Sequence, residues 1–229
     1  MAKLEWDKQG ERWYETGISK GVLYKIVNGE YQTGVAWNGL TSVSESPEGA
    51  DANDLWADNI KYATLRAAET FGGTIEAYTY PDEWAECDGS VVPSAGVYVG
   101  QQARRAFGLC YRTEQGNDID SEIDDGYKIH IVYNCTASPS ERSYETINDS
   151  PDAITFSWEY TSNPVAVTGY KPTSLITIDT ARLYKGLSGE QLTAAEAKVA
   201  ALEDILYGTD SAEARLPMPD EILELFAGE

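Results

Sequence analysis

Positive charge is what this sequence lacks most. Seventeen Lys and Arg stand against 38 Asp and Glu, and with a single His the formal net charge is −21 over 229 residues. Nucleic-acid binding draws its affinity from Lys and Arg that displace counterions from phosphate, so this surface repels DNA instead of holding it. Histidine is nearly absent as well. The lone His130 excludes nucleophile–His chemistry built on any other position, and the sequence around it suggests no carboxylate to orient it as a base. Cysteine is sparse: Cys87, Cys110 and Cys135 are odd in number and far apart, with no CxxC and no Cys/His cluster. That spacing argues against a disulfide frame and a zinc site, and the three read as small buried apolar residues in a reducing compartment. No run approaches the ~20 apolar residues of a membrane helix. Met1 to Trp13 carries charges throughout, so no secretory leader is expected, and the glycosylation patterns at Asn134 and Asn148 carry no weight. No phosphate loop, dinucleotide fingerprint, HExxH or GxSxG occurs, and nothing singles out a carboxylate pair for glycoside hydrolysis.

What is present is a β pattern with abundant amphipathic aromatics, 15 Tyr and 6 Trp against 4 Phe. Such residues suit half-buried strands and interfaces. Segments 21–27, 34–46, 74–80, 103–113, 127–134, 154–161 and 175–178 read as strands. Asn28-Gly29 is a turn, and 55–65 is a hairpin closing at Asp58-Asn59, because Asn and Asp tolerate turn geometry. Segments 93–100 and 137–151 read as loops. Segments 45–58 and 137–151, polar and turn-rich, are expected to be loops that are partly mobile in the monomer and become ordered between subunits or rings. The fold class expected is mainly β, a sandwich of about eight strands over residues 1–180, followed by a helical segment over 181–229 that packs on the same domain or on a neighbouring subunit. That segment holds a helix over 187–208, with a Thr193/Glu196 capping box, a Val199/Leu202/Leu206 stripe and a Gly208 cap. A short C-terminal helix runs from Pro219 to Phe226.

The acidic connection 114–126 spaces Asp118, Asp120 and Glu122 as at the start of an EF-hand loop. It lacks the mid-loop Gly and flanking helices, so it reads as a solvated charged loop, and no metal or other cofactor is assigned. His130 shares a strand face with Lys128 and Val132, while Ile129, Ile131 and Tyr133 share the other.

Several stretches taken in order resemble the major tail (tail tube) protein of long non-contractile-tailed bacteriophages. They are Gly17 to Tyr24, Gly34 to Leu40, Ser44 to Ala50, Ala57 to Tyr62, Thr74 to Gly89, Gly126 to His130, Asn148 to Pro151, Ile154 to Glu159 and Leu202 to Gly208. Each piece alone is weak, but the ordered set covers nearly the whole chain. The resemblance implies a structural virion protein without catalytic residues. Six copies form a ring whose inner sheets join edge to edge, and rings stack around a tape-measure protein between tail tip and tail terminator proteins. DNA later passes through the lumen without specific binding. The expected place is the virion tail, assembled in host cytoplasm, with no membrane contact. Two acids are expected on the lumen wall: Glu45 and Glu159, each in a strand whose opposite face is taken to hold larger apolar residues. For Glu159 the aromatic face is Phe156, Trp158 and Tyr160, and the polar face is Thr155, Ser157, Glu159 and Thr161. An outer sheet with the same polar face stays open. A second reading also stays open, a carbohydrate-binding or cell-surface β-sandwich module with Trp37, Trp56 or Trp158 as stacking platforms.

Overall fold

The computed structural model describes residues 3–49, 52–119, 126–144, 146–147, 149 and 152–227. In chain order the elements are β1 (Tyr14–Val27), β2 (Glu30–Tyr31), β3 (Val35–Trp37), β4 (Leu40–Gly49), β5 (Ala52–Ala57), β6 (Ile60–Arg66), β7 (Glu69–Ala77), α1 (Trp84–Cys87), β8 (Val91–Ser94), β9 (Val97–Val99), β10 (Phe107–Gly116), β11 (Gly126–Ala137), β12 (Phe156–Ser162), β13 (Leu175–Asp179), α2 (Thr180–Tyr184), α3 (Glu190–Tyr207) and α4 (Pro219–Phe226). The β-rich class is as expected. Among the described residues thirteen strands replace the expected eight, in part because turns divide the predicted segments. Asn38-Gly39, with Gly39 at φ +76°, splits 34–46 into β3 and β4. The segment 93–100 is not a loop: Ala95-Gly96 closes a β8–β9 hairpin, with Gly96 at φ +78°. Nor, in its described residues, is 45–58 a loop, since Glu45–Gly49 extends β4 and Ala52–Ala57 is β5.

One nine-stranded antiparallel sheet folds over itself at β11. Lys128–Val132 pair with β13, and Cys135–Ala137 pair with β12. Between them Asn134 takes φ +46°, a left-handed turn of the backbone that Asn tolerates, and this is where the strand changes partner. The first leaf is β1, β10, β11 and β13; the second is β12, β7 and β4. Their facing residues form an aromatic core: Trp158 lies 5.8 Å from Trp37 and 5.4 Å from Trp84, ring to ring. Trp84, on α1, reaches in from the end of the sandwich and is fully buried. The outer face of the first leaf is also covered. Tyr24, Cys110, Ile129, Ile131 and Tyr133 pack against Val199, Leu202 and Leu206 of α3 and Ile222 of α4. The order is therefore leaf, leaf, helices, and β1, β10 and β11 are apolar on both faces.

The helical reading holds for the Val199/Leu202/Leu206 stripe, the Gly208 cap and the span of α4 with Pro219 at its first turn. The Thr193/Glu196 capping box does not. α3 begins a turn earlier, after Gly189, and the Thr193 hydroxyl donates back to the Gly189 carbonyl at 3.3 Å. α2 is capped by Asp179, whose carboxylate accepts from the Arg182 amide at 2.9 Å.

Candidate functional site

Three features around β4 and β7 stand out. The first is the solvent face of the second leaf. Register places Ser44, Thr74 and Glu159 side by side, with Ser46, Gly72 and Thr161 in the next row. Ser42 and Glu76 join the same face, the Ser42 hydroxyl donating to Glu76 at 2.8 Å. Thr70 and Glu48 extend it. No Lys or Arg stands among these residues. Glu159 lies here, exposed, while Trp158 and Tyr160 beside it are 1% and 2% exposed. The aromatic and polar faces read from the sequence are the faces observed.

Glu45 is on the other side. It pairs with Gly73, which pairs with Tyr160, so Glu45 shares the inner face with Val43, Ile75 and Trp158. The face assumed for it from sequence is corrected: counting by two from Val43 puts both residues on one side of the strand. Its carboxylate, part-buried, accepts from the Tyr111 hydroxyl at 2.5 Å. It lies 3.2 Å from His130 Nδ1, a close contact without good hydrogen-bond alignment. His130 and Tyr111 stack at 4.7 Å with 4° between planes. His130 Nε2 is 3.0 Å from Thr113 Oγ1 and 3.5 Å from Glu15 Oε1, and Lys128 Nζ meets Glu15 at 2.5 Å. His130, above all, and then Tyr111 hold the Glu45 carboxyl below its ordinary range, outweighing burial. Burial pushes Glu15 up, but Lys128 and Thr113 overcome it and leave it lowered. Burial first, and then Glu45, drive the Tyr111 hydroxyl well up.

Thr113, His130 and Glu45 thus stand in the order of a nucleophile, a base and an orienting acid, partners that sequence spacing did not show. Cross-strand register alone brings them together. The chemistry does not follow from the order: the Thr113 hydroxyl donates to Glu15 at 2.5 Å. The two flanking clefts, one lined by Glu45 and one by Glu15, are lined by neither Thr113 nor His130. The cluster is a polar end to the sandwich core, tied together by the Tyr111–Glu45, Thr113–Glu15 and Lys128–Glu15 hydrogen bonds.

The third feature is the β5–β6 ribbon. It forms a separate two-stranded sheet closed by Asp58 and Asn59, both at positive φ as the turn reading requires. Leu55, Trp56, Ile60, Tyr62 and Leu65 are 40% to 74% exposed. A two-stranded ribbon is marginal by itself, and an exposed apolar patch of this kind marks an interaction surface.

The carbohydrate-platform reading loses two of its three Trp: Trp37 and Trp158 are 3% and 1% exposed and belong to the core. The calcium-like residues Asp120 and Glu122 lie outside the described residues. Among the described residues no group of His, Cys, Asp and Glu gathers as metal ligands, and no helix is long and apolar enough to cross a membrane. All three Cys are free and buried. A family model described as a phage tail tube protein matches residues 1–201. No curated protein matches the chain.

Proposed function

We propose a polymerising role on this premise: the chain belongs to the phage tail tube protein family and is a structural component of the virion tail. Six copies close into a ring and rings stack into a tube. The observation that carries this reading is the exposed apolar β5–β6 ribbon, which needs a partner surface that a second copy supplies. The sheet supports it as well. Among the described residues β4 ends the strand order with one edge unpaired, and joining such edges between subunits removes the liability of an open strand.

The lumen wall is the Glu159 face of β4, β7 and β12. Its hydroxyls and acids, without a cation, suit a conduit through which DNA slides. Six copies of a −21 chain repel phosphate, whereas a basic wall would trap it through additive contacts. Glu45, committed to Tyr111 and His130, contributes to this wall only if assembly releases it. A tape-measure protein fills the tube before DNA does, tail tip and terminator proteins bound its two ends, and assembly takes place in the host cytoplasm. The protein works as a wall and not as an enzyme.

Purified protein is to be mixed with its tail-tip initiator and followed by light scattering and electron microscopy. Hollow tubes of stacked rings are expected. A protein that stays monomeric with the initiator present would sink the reading.

A further inference from the structure

We propose that Glu45, Tyr111 and His130 form a positioning clamp that sets the direction of the β4–β7 arm and so places the β5–β6 ribbon for docking on a neighbouring copy. The inference rests on the polymerising role above. It starts from where the arm leaves the sandwich. Val43 and Ile75 pack in the core, but β4 is exposed from Ser44 to Gly49 and β7 at Glu69 and Thr70. Glu45 and Gly73 are paired at that boundary.

The root of the arm is thin in side chains on β7, where Phe71 alone packs on the core beside two glycines. Gly72 and Gly73 occupy β7 there, and Gly within a strand weakens it. Their bareness is required. A Cβ on Gly73 would lie 1.9 Å from the Ser44 carbonyl oxygen and 2.8 Å from the Tyr160 hydroxyl, and one on Gly72 would lie 2.6 Å from the Tyr160 carbonyl oxygen. The backbones therefore approach closely; pairing with β12 as far as Ser162 and the packing of Phe71 hold the β7 side of the arm, and a further restraint on the β4 side comes from across the sandwich.

Glu45 supplies it. A carboxylate on an inner face is costly unless its oxygens are satisfied. The Tyr111 hydroxyl donates to it, and His130 Nδ1 approaches it to 3.2 Å, only while β4 lies against β10 and β11. Both rings belong to these doubly covered strands and stack as one plate, so the site that receives Glu45 is rigid. The groups around it come from every neighbouring strand. They are Glu15 on β1, Thr113 on β10, Lys128 on β11, Asp179 on β13 and the Tyr160 hydroxyl on β12, which has no hydrogen-bond partner. Glu15 and Lys128 answer each other, which leaves His130 Nδ1 turned to Glu45.

The three native Cys are buried, so spin labels can be directed to Asp58→Cys at the ribbon turn and Lys198→Cys on α3. Pulsed electron resonance on the monomer reads the distance between them. A narrow distribution is expected with the clamp intact. Glu45→Ala and Tyr111→Phe should broaden it at least about twofold, as a freed hinge does. Glu45→Gln, which keeps an acceptor for Tyr111, should fall between. Glu159→Gln, on the opposite face of the same leaf, should change nothing. Thermal melting keeps the core as a control, and initiator-seeded growth should need more of the clamp-broken protein. Unchanged widths in both clamp variants overturn the clamp. Broad distributions with normal growth overturn its part in docking. Failure of the unsubstituted pair to form tubes tells against polymerisation itself, while the distances still decide the clamp.

Discussion

Replacing Trp56 by Ser should separate assembly from folding. Trp56 is 67% exposed on β5 and sits across from Lys61 in the ribbon. The free chain draws little stability from it, and an exposed substitution costs within about 0.5 kcal/mol. In a docked ribbon the same ring is covered. A Trp presents up to roughly 250 Å², so about 170 Å² of Trp56 is open to burial, or ~4 kcal/mol at ~25 cal/mol per Å². Association realises only part of such area, and truncating a well-packed interface Trp typically removes about 2–4 kcal/mol. The critical concentration for initiator-seeded tube growth should therefore rise ~30- to ~1,000-fold. Sedimentation of tubes against free protein measures it, with circular dichroism melting as the folding control. An unchanged critical concentration with the melting point intact would refute the argument, because the ring would then remain uncovered in the tube.

Trp158→Ala removes the ring that meets Trp37, Trp84, Tyr80 and Phe156, at roughly 3–5 kcal/mol, and should lower the melting temperature by about 10 °C; calorimetry showing a shift of only a degree or two would contradict the core assignment. Glu159→Lys should leave the fold and tube growth nearly unchanged but slow DNA ejection, most at low ionic strength, and normal ejection in low salt from a phage carrying it would count against a lumen position. Acid should destabilise the chain: Glu45, Glu15, Glu86 and Glu221 are all lowered in the fold, so their contribution is complete above the ordinary glutamate value of about 4.3 and is lost as pH falls through their lowered values. Chemical denaturation between neutral and acid pH tests this, and Glu45→Ala should flatten part of the slope; an identical slope would mean that Glu45 gains nothing from His130 and Tyr111.

The sequence alone determined what depends on neighbours in the chain. Asn28-Gly29 and Asp58-Asn59 turn because those residues accept positive φ, and the structure has them there. Trp158 and Tyr160 fall on one side and Glu159 on the other because a strand alternates with period two. The α3 stripe and the start of α4 follow from the helical period and from a Pro that fits a first turn. The acidity, which repels DNA, needs no fold at all. Tertiary structure decided what depends on register between distant strands. Only pairing of β10 with β11 sets Thr113 and Tyr111 beside His130, and only the fold of the sheet at Asn134 brings Glu45 over them. The same folding made Trp37 and Trp158 core residues and left Trp56 outside, although all three sit in strands. Alternation tells which residues share a face; which face is covered is decided by the second leaf, and that leaf arrives from elsewhere in the chain.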